Sequence, residues 1–302
     1  MNAAFHRLPA VDPADVSESL RHLVAVAAGL AGSVRLVDFD EGVLADWADH
    51  QNAAVDWDAR LLADVLREGG AGPGAHVVEL GCGSGRVGTH LAERGWDVTG
   101  VDASAALVDR APARRPGRRV RWIQADVLTD DVARLVGRPA AAVVAAAGAV
   151  GRFLDAEDLV AAFAAVAPLL PAGGPVLVPV LDDSVRAHFE AALPDRLAGR
   201  PLRRSNGRQL VVWTAAGYHP PTATLHRAAL VSVPEPGGLM HHYAYRVERL
   251  WTAGELAAVL AAAGWMQTVS HLAKAEGGPN DGWPFRLGGF GSTGYGLTGA
   301  NR

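Results

Sequence analysis

Two hydrophobic rhythms divide the chain. Short, nearly continuous apolar runs at Val77–Leu80, Val98–Val101, Val120–Ile123, Ala140–Ala147 and Pro175–Leu181 have the character of strands buried on both faces. Stretches of helical spacing separate or precede them. Val16, Leu20, Leu23, Val24 and Ala27 recur on one side, as do Trp57, Leu61, Leu62, Val65 and Leu66; further helices are expected over 40–49, 87–94, 105–111 and from a cap at Asp155 to Ala167. Strands alternating with helices predict a doubly wound α/β sheet. After Pro175–Leu181 and a helix over 185–192, the period changes to two. Gln209–Ala216, Ala223–Val233 and Leu239–Leu250 are expected as long antiparallel strands. Their turns are marked by Ser205-Asn206-Gly207, His219-Pro220-Pro221 and the run from Pro234 to Gly238. The first pattern then resumes. Thr252 caps a helix over Glu255–Ala263 in a capping box with Glu255, Gly264 ends it, and strands follow at Trp265–Leu272 and Phe285–Phe290.

The chemistry concentrates where the first strand meets the first intervening helix. Gly81-Cys82-Gly83-Ser84-Gly85 is a turn that needs glycine, because positive φ and a missing Cβ let a ligand lie against bare backbone. The helix behind it offers unpaired N–H groups. Asp102 ends the second strand, where a carboxylate can accept hydrogen bonds from both hydroxyls of a ribose. A dinucleotide fingerprint would place its third glycine at position 86; here that residue is Arg86 and the glycine comes early, at Gly85. No lysine follows the turn, which excludes a P-loop.

Glu79, Gly81, Gly83 and Gly85 form E-x-G-x-G-x-G. With Asp102 at the end of the next strand, they resemble the first motif of class I S-adenosylmethionine (SAM) methyltransferases. The resemblance covers residues 75–182 closely and 250–275 loosely. It implies a Rossmann-like seven-stranded sheet, here with an antiparallel β insert, and SAM as cofactor. Glu79, Gly81, Cys82, Gly83, Gly85, Asp102, Ala103, Asp126, Val127 and Ala147 would line its site. Asp102 takes the family's ribose-binding place, and Asp126 the place that accepts from the exocyclic amine of adenine. Leu169–Gly174 resembles the family's turn before the fifth strand. Ala147-Gly148-Ala149 lacks the polar or aromatic residue family members often carry there. The expected organisation is an N-terminal helical cap (1–74), in which Trp57 and Arg60 could face the cofactor, a SAM-binding core (75–182), an antiparallel acceptor lid (183–250), and the end of the core with a glycine-rich tail (251–302).

An antiparallel insert after the fifth strand resembles small-molecule N-methyltransferases of the amino-sugar and glycine type, in which it lids the acceptor pocket. The expected activity is methyl transfer to an amine of a small molecule or modified peptide, in natural product biosynthesis. O- or C-methylation, a non-catalytic SAM-binding protein and a nicotinamide oxidoreductase remain as alternatives. Along 239–248 one face carries Leu239, His241, Tyr243, Tyr245 and Val247, the other Met240, His242, Ala244, Arg246 and Glu248. The first set is expected inward. Its aromatic wall suits an ammonium or sulfonium through cation–π attraction. Tyr243, Tyr245 and Trp213 are therefore the acceptor-binding candidates, and His241 the candidate base, since histidine titrates in the required range.

Composition narrows the partners. The chain has 302 residues and a formal net charge of −4, without the basic field that nucleic acid requires. All 28 Lys plus Arg are arginine except Lys274, and Cys82 is the one cysteine. A disulfide framework and a thiolate metal site are thereby excluded. The acidic N-terminal region differs from a signal peptide, and Pro139–Val150 is too short to span a bilayer. A cytoplasmic protein, monomeric or homodimeric, without membrane or metal, is expected.

Overall fold

The computed structural model describes residues 12, 16–30, 32–52, 55–113, 120–145, 148–192, 197–204, 207–274 and 284–292. The chain divides into two compact units, Ala3–Ala54 with Arg186–Leu250, and Val55–Val185 with Trp251–Arg302.

The second unit holds α3 (Trp57–Glu68), β2 (His76–Leu80), α4 (Arg86–Glu93), β3 (Asp97–Asp102), α5 (Ala105–Val108), β4 (Val120–Gln124), α6 (Val132–Val136), β5 (Ala142–Ala145), α7 (Ala156–Val166), β6 (Pro175–Leu181), α9 (Ala253–Ala262), β11 (Trp265–Lys274) and β12 (Pro284–Ser292). Its seven-stranded sheet runs β11-β12-β6-β5-β2-β3-β4. The five strands from β6 to β4 are parallel, while β12 is antiparallel to both β6 and β11. The order reverses between β2 and β5, which places the loops after these two strands at a topological switch point, where open α/β sheets bind ligands. Each sheet face has its own core. Val78, Val143, Val178, Leu159, Phe163 and Leu256 fill one; Leu62, Leu66, Val77, Leu91, Trp96 and Val144 fill the other. Each such side chain contributes roughly 1.5 to 3 kcal/mol on burial. Thr252 and Glu255 form the expected capping box on α9.

The first unit holds α1 (Glu18–Gly29), β1 (Val34–Leu36), α2 (Gly42–Asn52), β7 (Ala198–Arg203), β8 (Gln209–His219), β9 (Thr224–Glu235) and β10 (Gly238–Arg249); α8 (Asp183–Ala192) spans the boundary. Its five-stranded sheet runs β1-β10-β9-β8-β7. Only β8, β9 and β10 are expected from the alternating pattern. Strand β7 reads Ala-Gly-Arg-Pro-Leu-Arg and buries only Leu202; β1 has three residues and pairs parallel with β10. Neither edge strand needs a two-sided pattern, so neither shows one. The segment expected as a single cap through residue 74 is split by its contacts. Helix α3 belongs with the parallel sheet, because Leu62 and Leu66 bury among Val77, Leu91 and Trp96, while α1, β1 and α2 belong to the antiparallel unit.

Both faces of the antiparallel sheet are packed. Leu20, Leu23 and Ala27 of α1 meet Ala215, Ala228 and Leu230, with Tyr243 and Tyr245 against them. On the opposite face Val43 and Leu44 of α2 meet Leu210, Val212, Ala229, Val231 and Ala244. This corrects the expectation that the Leu239–Val247 set alone faces inward. Ala244 is 2% exposed, and Arg246 pairs with Asp38 and Asp40 while its guanidinium lies 5.0 Å from the Phe39 ring centroid. The segment leading into α2 covers that face, which strand periodicity alone could not show. Among the described residues no helix is long and apolar enough to cross a membrane.

Candidate cofactor site and the antiparallel platform

The turn after β2 follows its glycines. Gly81, Gly83 and Gly85 all have positive φ, at 65°, 53° and 82°. They are nonetheless not equivalent. A β-carbon on Gly81 would lie 2.7 Å from that of Ala149, and one on Gly85 would lie 2.6 Å from the Trp122 ring, whereas at Gly83 the nearest atom is 3.8 Å away. Gly83 therefore presents the open backbone of the turn. Its N–H donates to Asp102 Oδ2 at 2.7 Å, and Asp102 Oδ1 accepts from the Ser104 N–H at 2.8 Å. Asp102 thus ties the glycine turn to the start of α5. Ala103 lies between these contacts and is half-buried.

Asp126 follows β4. Its Oδ1 accepts from the Leu128 N–H at 3.0 Å. Its Oδ2 is buried with no hydrogen-bond partner, although the residue is only 8% exposed. A buried acceptor without a donor is costly, and a ligand amine would satisfy it. Val127 is half-buried and packs against the core. Ala147 lies outside the described residues.

Glu79 of β2 and Cys82 of the turn are both buried. Glu79 is 1% exposed, its Oε2 has no hydrogen-bond partner, and burial above all pushes its carboxyl up to about 8. Burial likewise pushes the Cys82 thiol up, so Cys82 is a neutral turn residue. Arg86 opens α4 with its fork on Asp58, both contacts at 2.6 Å, and its Nη1 also donates to the Val55 carbonyl. Asp58 is fully buried. Trp57 packs with Val55, Leu61 and Leu181, and Arg60 pairs with Asp56. The Asp58–Arg86 clamp escapes sequence reasoning because 28 residues separate its partners.

The acceptor candidates lie in the antiparallel unit. Leu36, Tyr243, Leu230, Trp213 and Gly199 are cross-strand neighbours in one row, and Val34, His241 and Ser232 form the next. The pleat places both rows on one face. Trp213 is 45% exposed. His241 Nδ1 is hydrogen-bonded to Ser232 Oγ at 2.7 Å. Tyr245 makes a contact no pattern announced, with its hydroxyl on His226 Nδ1. His226 Nε2 in turn meets Thr224 Oγ1, which meets Thr222 Oγ1, which meets His219 Nδ1. His226 is fully buried, and desolvation lowers it to about 4, helped by the neighbouring His219. The available signal was faint, a histidine at an apolar strand position with threonine two residues before it. Among the described residues no cluster could hold a metal ion.

A parallel sheet whose glycine turn follows β2 at the switch point, with carboxylates after β3 and β4, has the arrangement in which open α/β sheets bind ligands. Residues 77–174 match the family model of a methyltransferase domain, and the unit is a class I methyltransferase fold. A curated relative, an uncharacterized methyltransferase of Mycobacterium tuberculosis, is 34% identical over 77 residues, 25% of this chain and 39% of the relative. The chain thus matches well under half the length of that relative. Among solved structures, the sugar N-methyltransferase KedS8 from Streptoalloteichus superposes with a TM-score of 0.62 at 23% identity, covering 82% of this chain and 93% of that one. SAM-bound CalS10, an amino pentose methyltransferase from Micromonospora echinaspora, gives 0.58 at 22% identity, covering 80% and 95%.

Proposed function

We propose that the protein binds SAM in its parallel-sheet unit and transfers the methyl group to an amine of a small molecule or modified peptide. The observation that carries the cofactor reading is the unpartnered, buried Oδ2 of Asp126 after β4, in the same sheet as a turn whose open glycine is tied to Asp102. Asp102 would accept from the ribose hydroxyls, Asp126 from the adenine amine, and Gly83 would let the ligand approach the backbone. SAM, when bound, supplies a methyl group on a sulfonium. Alignment and exclusion of water carry most of the rate of such a displacement, so a catalytic triad is not required.

The acceptor is assigned to the antiparallel unit, with Trp213, Tyr243 and Tyr245 as its apolar and aromatic contacts and His241 as the base. For His241 to accept the amine proton at Nε2, its Nδ1–H must donate to Ser232 Oγ. The sugar N-methyltransferase and amino pentose methyltransferase among the structural neighbours support an amino-sugar type of acceptor and a place in natural product biosynthesis.

The test has two arms. Calorimetry should show micromolar-class binding of S-adenosylhomocysteine, about −8 kcal/mol, and none of NAD; NAD binding without S-adenosylhomocysteine binding rejects the cofactor reading. Incubation with SAM and free or nucleotide-linked amino sugars should release S-adenosylhomocysteine and yield an N-methylated product. A product methylated on oxygen or carbon rejects the amine assignment, and binding without turnover on any amine favours a non-catalytic SAM-binding protein.

A further inference from the structure

Trp122 occupies a slot cut by three glycines on three different elements. A β-carbon on Gly100 of β3 would lie 2.4 Å from both Cε3 and Cζ3 of its ring. One on Gly88 of α4 would lie 2.6 Å from Glu79 Oε2 and 3.0 Å from Cη2, and one on Gly85, at the turn, 2.6 Å from Cη2. Gly100 has no positive φ to explain its glycine, and neither Gly88 nor Gly100 belongs to the turn motif. What these positions share is the indole. The register explains the geometry, because Glu79, Gly100 and Trp122 are cross-strand neighbours on β2, β3 and β4. With no side chain at Gly100, the indole reaches over β3 and under the first turn of α4.

Trp122 also stands four residues before Asp126. Its strand thus joins the two halves of the proposed cofactor site. One half is the glycine turn, with Gly83 held by Asp102; the other is the buried carboxylate of Asp126. Cores tolerate neither a void nor an extra methyl at such a contact without local shifts. A displacement below one ångström is enough to spoil a hydrogen bond to a buried acceptor.

We infer that Trp122 is a positioning residue for the cofactor, a rigid strut that sets the distance between the glycine turn and Asp126 and so governs discrimination for the adenine amine. It makes no bond to the ligand itself. The inference rests on the reading that the site takes SAM and that Asp126 accepts from adenine.

The experiment measures calorimetric affinity of the full chain for S-adenosylhomocysteine and for S-inosylhomocysteine, in which the exocyclic amine is replaced by an oxo group. Wild type should prefer the adenosyl compound at least tenfold. Trp122→Leu, which empties the slot, and Gly100→Ala, which pushes the ring from the other side, should each weaken S-adenosylhomocysteine at least tenfold and shrink the preference below threefold. Trp122→Phe, which keeps an aromatic strut, should hold both values within threefold of wild type. Circular dichroism confirms that each variant compared is folded. The inference is overturned if folded Trp122→Leu or Gly100→Ala binds S-adenosylhomocysteine within twofold of wild type with its preference intact. It is also overturned if wild type binds both compounds equally, since Asp126 then reads no amine. Wild type that binds neither compound sinks the SAM reading itself, and the strut falls with it.

Discussion

The Asp58–Arg86 clamp allows a prediction in which the two partners are not equivalent. Both contacts measure 2.6 Å, but the Asp58 side chain is 0% exposed and that of Arg86 is 22% exposed. Removing one partner of a buried pair costs about 3 to 5 kcal/mol, because the remaining charge is left uncompensated. Arg86→Met leaves a carboxylate with no access to water and should reach that full range. Asp58→Asn leaves a guanidinium that water already touches, which lowers the cost to about 2 to 3 kcal/mol. Arg86 also opens α4, where the helix dipole disfavours a cation, so losing its carboxylate still hurts. At roughly 2 to 4 °C per kcal/mol for a unit of this size, Arg86→Met should lower the calorimetric melting temperature by about 6 to 20 °C and Asp58→Asn by about 4 to 12 °C. Replacing both, with Asp58→Leu and Arg86→Met together, should recover most of the loss, since apolar residues often substitute for a buried pair without penalty. The reasoning is refuted if Arg86→Met is no worse than Asp58→Asn, or if the double variant melts below Arg86→Met alone.

Three further outcomes follow from the same geometry. Glu79 titrates near 8 in the fold against 4.5 ordinarily, so its folded form holds a proton that the unfolded chain loses; the contribution is fully present below about 4.5 and lost as pH rises through 8. Glu79→Gln should therefore flatten the fall in stability over that window and be more stable than wild type at pH 8.5 by about 1 kcal/mol or more, as urea denaturation across pH would show. Asp102→Ala should weaken S-adenosylhomocysteine by roughly 1.5 to 3 kcal/mol, more than Asp126→Ala, since Asp102 also holds the Gly83 N–H; calorimetry showing unchanged affinity for Asp102→Ala removes the ribose assignment. His241→Ala should cut turnover at saturating SAM at least tenfold between pH 6 and 9 while leaving S-adenosylhomocysteine affinity level, and full turnover would clear His241 of the base role.

What was legible in the sequence was what a local pattern could encode. Strands β2, β3, β5 and β6 are short and mostly apolar, Thr252 and Glu255 sit three residues apart, and the turn, Asp102 and Asp126 fall at fixed offsets from strand ends. Features made by distant residues left little trace. Gly88 and Gly100 look like ordinary helix and strand glycines until the Trp122 ring is seen between them. His226 and Tyr245 are 19 residues apart, and their link depends on the exact pairing of β9 with β10. The burial of the Met240–Glu248 face is not legible, because alternation tells which residues share a side but not what covers each side. Glu79, matched as part of a motif, lies buried under Gly88 of α4, and burial pushes its carboxyl up.

The three-residue strand β1 has a practical consequence. It joins β10 in parallel, and it arrives with α1 and α2, one against each face of the sheet. The antiparallel unit is therefore a composite of two stretches separated by the 131 residues of Val55–Val185. Transplanting residues 186–250 alone into a related methyltransferase would strip Ala228 and Leu230 of the α1 leucines, and Ala229 and Val231 of Val43 and Leu44. Recombination that moves the antiparallel unit, in the laboratory or in evolution, has to carry the N-terminal 54 residues with residues 186–250. A crossover that respects only the central stretch should yield a chain whose parallel sheet folds while its platform does not.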